Sequence, residues 1–531
     1  MRGALTTIRG WQQSQAERAE HRRVQPRLVD ARLVFPAVGL WGFTALWILA
    51  GARWTLGVGA FLLALALGAW CVSHRFSPER GWWGSKKSAQ ILAPFAQVLA
   101  LTCLLIAVQT VALQGRGYLH QWDLMQSLHG QGVRVSAIVV DARPSSTGGY
   151  KVQVETREIR QGLKSWDEHI RLSVYTDQLL LPGSRVSAAG ALKVKGSYYR
   201  LQGKVSLIEP PGTVGPTFLL KTGLRDVAVE QLGAGQAGLL LGMAYGDDSS
   251  LPAQALSSLR VAGLTHLTAV SGANITLIFV VAYRLFYSLC ARPCVLIVVG
   301  VAASTGYVVL VGLDGSVLRA WVMGLVGALG LVLGHGAYRL TFLSTCLIAL
   351  VIAVPPLATH YGFILSVVAT ASLVVLAPAI SRLLSRGIPL LLADLLAMPC
   401  AASLWCAPVI LVLSESLYPY TVLANLAVTP LVAPLTVLGL LAFLTYSLGL
   451  ADPVLNLLLS LGGFLAQGLL NIAVWCASLP GSQLPVELTP LTVGLTFCAV
   501  VGISWLVLTW DRVANSLPEA RLPRLHRGSE L

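Results

Sequence analysis

Residues 264–279 read LTHLTAVSGANITLIF, an apolar run of membrane-spanning character that carries His266, Thr268, Ser271 and Asn274 where a plain span would carry only Leu, Val and Ile. An unpaired polar group in hydrocarbon is costly, so side chains of this kind face a bundle interior or a wet cavity. At 100° per residue, Thr268, Ser271 and Asn274 follow one another at i, i+3 and i+6 and drift slowly across one helix face, with His266 roughly 80° from Asn274. On one continuous helix all four would border a single cavity. Ser271-Gly272-Ala273-Asn274 also sets a helix-weakening Gly beside two residues that compete for backbone hydrogen bonds, which favours a break in the helix there.

The surrounding chain is built for a bilayer. Of 531 residues, 55% are hydrophobic and only 12% charged, about half the charged share of a soluble domain, and mean hydropathy is +0.70. The fold class expected is a polytopic α-helical membrane protein of about twelve spans with a small extracytoplasmic β-barrel domain. The nine Cys fall in or beside apolar spans and none between 115 and 215, which argues against a disulfide framework. Residues 1–32 hold seven Arg and no early apolar core, and are expected to form a basic cytoplasmic arm rather than a cleavable signal.

Three spans open the chain within 33–114, at about 33–50, 54–73 and 91–113. Arg75, Arg80, Lys86 and Lys87 lie between the second and third, so the positive-inside rule puts that loop with the basic arm and delivers residues 115–211 to the outer face. There the pattern turns to alternation of period two: 133–139, 150–155, 169–175, 185–192 and 199–207 read as five strands, enough for a small closed barrel of OB type. This region holds thirteen Lys and Arg against eight Asp and Glu. Lys193, Lys195, Arg200 and Lys204 cluster with Tyr198 and Tyr199, cations flanked by rings, as proteins that hold single strands arrange phosphate charge and base stacking. A solvated strand face beside lipid headgroups would have the same composition.

Residues 212–262 read as a stiff Pro-Gly linker, an amphipathic interfacial helix over 217–232, and a Gly-Asp-Asp loop whose acids are expected to cap the helix opening near Pro252. About nine further spans fill 263–510, and 511–531 form a basic tail. Arg284, Arg292, Arg339, Arg382, Arg386 and Arg512 fall on one side of the alternation, so both termini are expected in the cytoplasm of a bacterial cell. Arg319 is the only Lys or Arg between Arg292 and Arg339, and its sequence allows two roles: an ion pair with Asp314, or a fixed cation lining a path for phosphates. Pro430 and Pro434, just after Asn425, should kink or interrupt their span, and interrupted spans line cavities. Asn425 then either lines a pore or ties two helices.

GLTHLTAVSGANITLI, with GLLLGMAYGDDSSLP before it, SVLRA around Arg319, YGFILSVVAT and NLAVTPLVAP, resembles the signature of the ComEC competence family; many relatives carry Leu-His where this chain has Ala273-Asn274. The resemblance implies a channel component that moves single-stranded DNA across the bacterial cytoplasmic membrane in natural transformation, with an OB-like outer domain. It implies an outer-face DNA receptor and a cytoplasmic helicase-like ATPase as partners, and leaves oligomer formation open. No phosphate-binding loop of the Walker type is present, so directed transport needs a partner or a gradient. No clustered His/Asp motif marks the metallo-β-lactamase-like domain of many relatives; no metal, cofactor or catalytic residue is expected. The pore set is then His266, Thr268, Ser271, Asn274, Arg319 and Asn425. A rival reading, an intramembrane hydrolase or transferase using His266 as base and Ser271 as nucleophile, puts the two side chains about 140° apart on one helix and lacks a third member. A transporter of another solute also fits the composition.

Overall fold

Alternation and turn chemistry settle the outer domain first. In the computed structural model, which describes residues 32–50, 86–115, 118–144, 149–195, 198–211, 216–268, 272–287, 293–312, 315–332 and 339–516, the strands are β1 (Gly132–Pro144), β2 (Tyr150–Gln161), β3 (Lys164–Trp166), β4 (Arg171–Thr176), β5 (Arg185–Lys195) and β6 (Tyr198–Glu209). Their order is β1-β5-β6-β4-β2-β3, and β1 also pairs with β2, so five strands close into a barrel and β3 is left as a short flap on β2. All ladders are antiparallel except β4 with β6. Inward positions follow the period of two: Val135, Val152, Val154, Val174, Val186, Ala188 and Leu201 are at most 1% exposed. Helix α1 (Val34–Ala50) and helix α2 (Lys86–Gly115) precede the barrel, and α3 (Tyr118–Ser127) sends Leu124 and Met125 into its core, joined by Leu128 just beyond the helix. The barrel is pinned to this segment where the Gly130 N–H donates to the Leu192 carbonyl at 2.8 Å.

The sequence after the barrel gives α4 (Pro216–Leu232), α5 (Ala234–Tyr245), α6 (Ala253–Val261), a 3-10 turn (Thr265–Leu267), α7 (Gly272–Tyr287), α8 (Pro293–Val311), α9 (Gly315–Val332), α10 (Arg339–Ala353), a second 3-10 turn (Pro355–Thr359), α11 (Tyr361–Val375), α12 (Ala377–Leu384), α13 (Leu390–Ser414), α14 (Thr421–Ser447), α15 (Asp452–Ser478) and α16 (Pro490–Ser516), with the strand pair β7 (Ser416–Leu417) and β8 (Leu484–Pro485). Helix α5 is the centre of this half. Its glycine- and leucine-rich turns are buried without interruption from Ala237 to Tyr245, and α4, α14 and α15 pack around it. Three glycines make the approach: a Cβ at Gly439 would meet the Ala244 Cβ at 2.7 Å, one at Gly462 the Leu240 methyls at 2.9 Å, and one at Gly463 the Leu232 methyl at 2.6 Å. Small residues at helix crossings are how apolar helices gain contact when lipid is no worse a solvent than protein.

Three expectations need correcting. The amphipathic helix α4 does not lie free: Leu224 and Ala228 are fully buried in the cluster around α5. The acids of the Gly-Asp-Asp loop do not cap α6, which has no side-chain cap; instead Asp247 accepts from the Ser249 N–H at 3.3 Å and lies 3.7 Å from Arg225. Nor do Pro430 and Pro434 interrupt their span, since α14 runs 27 residues through both; the break comes at Leu376, ahead of Pro378, where α11 and α12 meet at 43°.

Among the described residues, four helices are long and apolar enough to cross a bilayer, α13, α14, α15 and the Pro490–Ala514 part of α16, or five if the bent pair is one span. The twelve spans expected are not reached among the described residues. Six further apolar helices are of 10–17 residues, and α7, at 16 residues, is about 24 Å long against a hydrocarbon core of about 30 Å. The expected span over 54–73, the basic arm and the tail beyond 516 lie outside the described residues. Both N-terminal helices join the bundle: Trp41 Nε1 donates to the Ala358 carbonyl at 2.9 Å, and Gln109 Nε2 to that of Val351 at 3.0 Å.

Candidate functional site

Residues 264–279 do not form one helix. Gly263, at φ +72°, turns the chain out of α6 against Thr421, where a Cβ would lie 2.2 Å from the threonine Oγ1, and a single 3-10 turn follows before α7 starts at Gly272. The helical wheel that placed Thr268, Ser271 and Asn274 on one face therefore does not apply, because Thr268 precedes the helix; Ser271 lies outside the described residues. A weak spot was legible in Ser271-Gly272, but the chain has already left α-helix at Gly263.

His266 sits on that turn with its side chain exposed. It is steered by a hydrogen bond with the Gly263 backbone carbonyl. Thr268 is buried, its hydroxyl donating to the Thr265 carbonyl at 3.1 Å, and its own carbonyl lies against Gly242 of α5.

Asn274 has a packing role. It is 6% exposed, and Nδ2 donates to the Met243 carbonyl at 2.9 Å and lies 3.5 Å from the Tyr307 hydroxyl. Tyr307, which no motif or pattern marks, donates to the Ala244 carbonyl at 2.6 Å. The two side chains thus take carbonyls from the last turn of α5, groups that a helix end leaves without internal partners. Tyr307→Phe is expected to cost about 1 kcal/mol, read as a lowered unfolding midpoint of the purified full chain; an unchanged midpoint would remove this tie from the account.

Arg319 is 6% exposed on α9 where α7, α10 and α11 converge. Nε donates to Ser366 Oγ at 2.8 Å, Nη1 lies 3.6 Å from Met323 Sδ, and Nη2 is directed at Gly272, 3.6 Å from where a Cβ would stand. The expected partner Asp314 lies outside the described residues, and the ion pairs found include none with Arg319. Asn425 neither ties two helices nor points to a pore by any contact: Nδ2 donates to the Thr421 carbonyl of its own helix at 2.7 Å. Thr421 is also the residue on which Gly263 rests, so Asn425 stands one turn from the same connection. His266, Thr268, Asn274, Arg319 and Asn425 thus gather around the chain from Gly263 to the first turn of α7.

On the barrel, Lys193 stands opposite Arg200, Lys195 opposite Tyr198, and Lys204 opposite Ala189 across the β5–β6 ladder. Lys193 and Lys204 are exposed. Like charges set directly opposite repel, and here the Arg200 guanidinium lies over the Tyr175 ring at 4.9 Å with Nη2 3.2 Å from its hydroxyl. Tyr199 does not belong to this face. It shares strand parity with buried Leu201 and packs on the barrel core, and burial pushes its phenol pKa up. Tyr175, on β4, is a ring that the outward face presents among the described side chains, which do not include those of Lys195 and Tyr198, and its contact with Arg200 spans 25 residues of sequence.

The model of the Competence protein family matches residues 243–512. No curated protein and no solved structure matches the chain. The matched segment starts at Met243, in the last turn of α5, and so takes in the Gly263–Gly272 connection and Arg319, while the barrel lies outside it.

Proposed function

Because the chain belongs to the Competence protein family, we propose that it is the membrane conduit for single-stranded DNA in natural transformation, acting by binding and passage rather than by catalysis. The observation that carries this reading is the break in α-helix after Gly263: an exposed imidazole, a buried guanidinium with no ion pair among the described residues, and a helix N-terminus set inside an apolar bundle, where irregular backbone survives by lining a cavity. His266, Thr268, Arg319 and Asn425 would border the strand's route, with Asn274 holding the wall in place.

The barrel has a strand order and a single parallel pairing that suit an OB-like Greek-key domain, and Lys193, Lys204, Arg200 and Tyr175 offer phosphate charge and one ring for base stacking. It would receive the strand on the outer face from a DNA receptor, and a helicase-like ATPase inside would draw it through. Binding by phosphate charge should weaken steeply with salt.

The test is nuclease-protected labelled DNA inside a competent host deleted for this gene and complemented with wild type or His266→Ala, surface-bound DNA being scored in parallel. Deletion is expected to leave surface binding and abolish internalisation, and His266→Ala to insert normally and internalise poorly. Internalisation that survives deletion, with no second homologue in the host, would overturn the function.

A further inference from the structure

The outward face of α15 carries amides at a depth where lipid offers them no partner. Helix α15, with 27 residues, is about 40 Å long against a hydrocarbon core of about 30 Å, so about four residues at each end stand outside the core, and Gln467 and Asn471 both fall within it. Both side chains are exposed. They belong to a relay in which Gln236 Nε2 of α5 donates to Gln467 Oε1 at 2.9 Å and Gln467 Nε2 donates to Asn471 Oδ1 at 2.8 Å. Nearer the start of α15, Gln231 Nε2 of α4 is taken up by the Asn456 carbonyl and by Ser460 Oγ, both at 3.0 Å. The relay ends without closing: among the described residues no contact takes the N–H groups of Asn471, and an unmet donor in hydrocarbon is costly.

The same face is laid out as a seam. Leu457, Leu461, Phe464, Gly468, Asn471 and Trp475 recur at alternate spacings of four and three residues, which keeps them within about 80° of arc, and the two leucines, Phe464 and Trp475 are 48–78% exposed. At Gly468 an added Cβ would meet only a Leu431 methyl, at 3.9 Å, so a second backbone can come close there. Lipid suits the leucines and rings and fails the amide. Ordered water needs two to four polar partners, which one amide among apolar neighbours does not supply, and a charged ligand finds no counter-charge on the seam. An amide carries donor and acceptor alike, so its own image matches it. We infer that a second copy of this chain docks here, α15 against α15, with the Asn471 amides paired across a two-fold axis. Both copies insert the same way up, so the axis stands normal to the bilayer, the two helices run parallel and each seam residue meets its own counterpart. Apolar side chains gain little over lipid by pairing, so the amides set the register and Gly468 sets the distance. The interface stands whether or not the bundle conducts DNA.

The experiment reconstitutes the full chain in phosphatidylcholine vesicles at rising protein-to-lipid ratio, one batch labelled at the N-terminus with an energy donor and the other with an acceptor. Energy transfer is expected to follow a monomer–dimer curve, to need about tenfold more protein in Asn471→Leu, and to stay near wild type in Asn471→Gln, which keeps the amide. Leu461→Cys leaves every amide in place and tests the same face without it: on oxidation it should cross-link to its own counterpart. Val501→Cys on α16, similarly exposed at 51%, should stay at the background that the native cysteines give in wild type. Transfer in wild type no greater than random crowding gives, or undiminished in Asn471→Leu, would overturn the interface, and so would cross-linking at Val501→Cys without cross-linking at Leu461→Cys. A monomer that holds a lipid in native mass spectra and loses it in Asn471→Leu would overturn the second copy as the occupant and leave the face to that lipid.

Discussion

Gly203→Ala is expected to open the barrel. Gly203 and Gly190 are register partners on β6 and β5, and a Cβ at 203 would stand 2.0 Å from the Ala189 carbonyl oxygen and 2.5 Å from the Gly190 Cα. Backbone atoms on both sides leave nothing to rotate away, so the strands would have to part where they now pass closest. Overpacking of this kind costs on the order of 3 kcal/mol, a large share of the stability of a small domain. Gly132→Ala supplies the control on the same barrel, since nothing lies within 4 Å of its Cβ position. In intact cells, Gly203→Ala should make the outer domain sensitive to added protease and lose internalised DNA while surface-bound DNA persists, with Gly132→Ala behaving as wild type. Protease resistance equal to wild type in Gly203→Ala would mean the ladder yields by a small shift and the close approach is not needed for closure.

The barrel was the most legible part of the chain because its physics is local. Alternation fixed the side each residue faces, and the strands start within two residues of the expected positions; β3 was missed because three residues carry no period. The same rule should have turned Tyr199 inward, where the neighbouring Leu201 already pointed, and clustering of cations with rings overrode it. In the bundle, apolar length located most helices, but the site depends on contacts that sequence separation hides. Asn274 answers a carbonyl 31 residues earlier and Arg319 is steered by a serine 47 residues later. Proline misled in both directions: Pro430 and Pro434 ride inside an unbroken helix, and Pro378 marks the bend. A missing N–H tells where a helix can break, and packing decides whether it does.

The second large effect is expected at the seat of α5, and it separates the role of the core from that of its polar lining. Gly439→Val on α14 would drive a branched side chain toward the Ala244 Cβ at 2.7 Å and the Leu240 carbonyl oxygen at 3.0 Å, while α15 holds α5 from another side. Helix α5 has no route outward, because every residue from Ala237 to Tyr245 is already buried, so the helices must separate. Separation would pull the last turn of α5 from Asn274 and Tyr307 and shift the connection that carries His266 without touching any polar residue. Gly462→Ala should be milder, since the atoms it meets are Leu240 methyls that can change rotamer, and Gly502→Val on α16, with nothing within 4 Å, should be silent. The expected order of DNA internalisation is therefore Gly502→Val near wild type, Gly462→Ala reduced, and Gly439→Val lost together with most of the protein from the membrane. Gly439→Val that inserts at wild-type level and internalises DNA normally would show that α5 is not the fixed element around which the site is assembled, and the polar connection at Gly263–Gly272 would need another support.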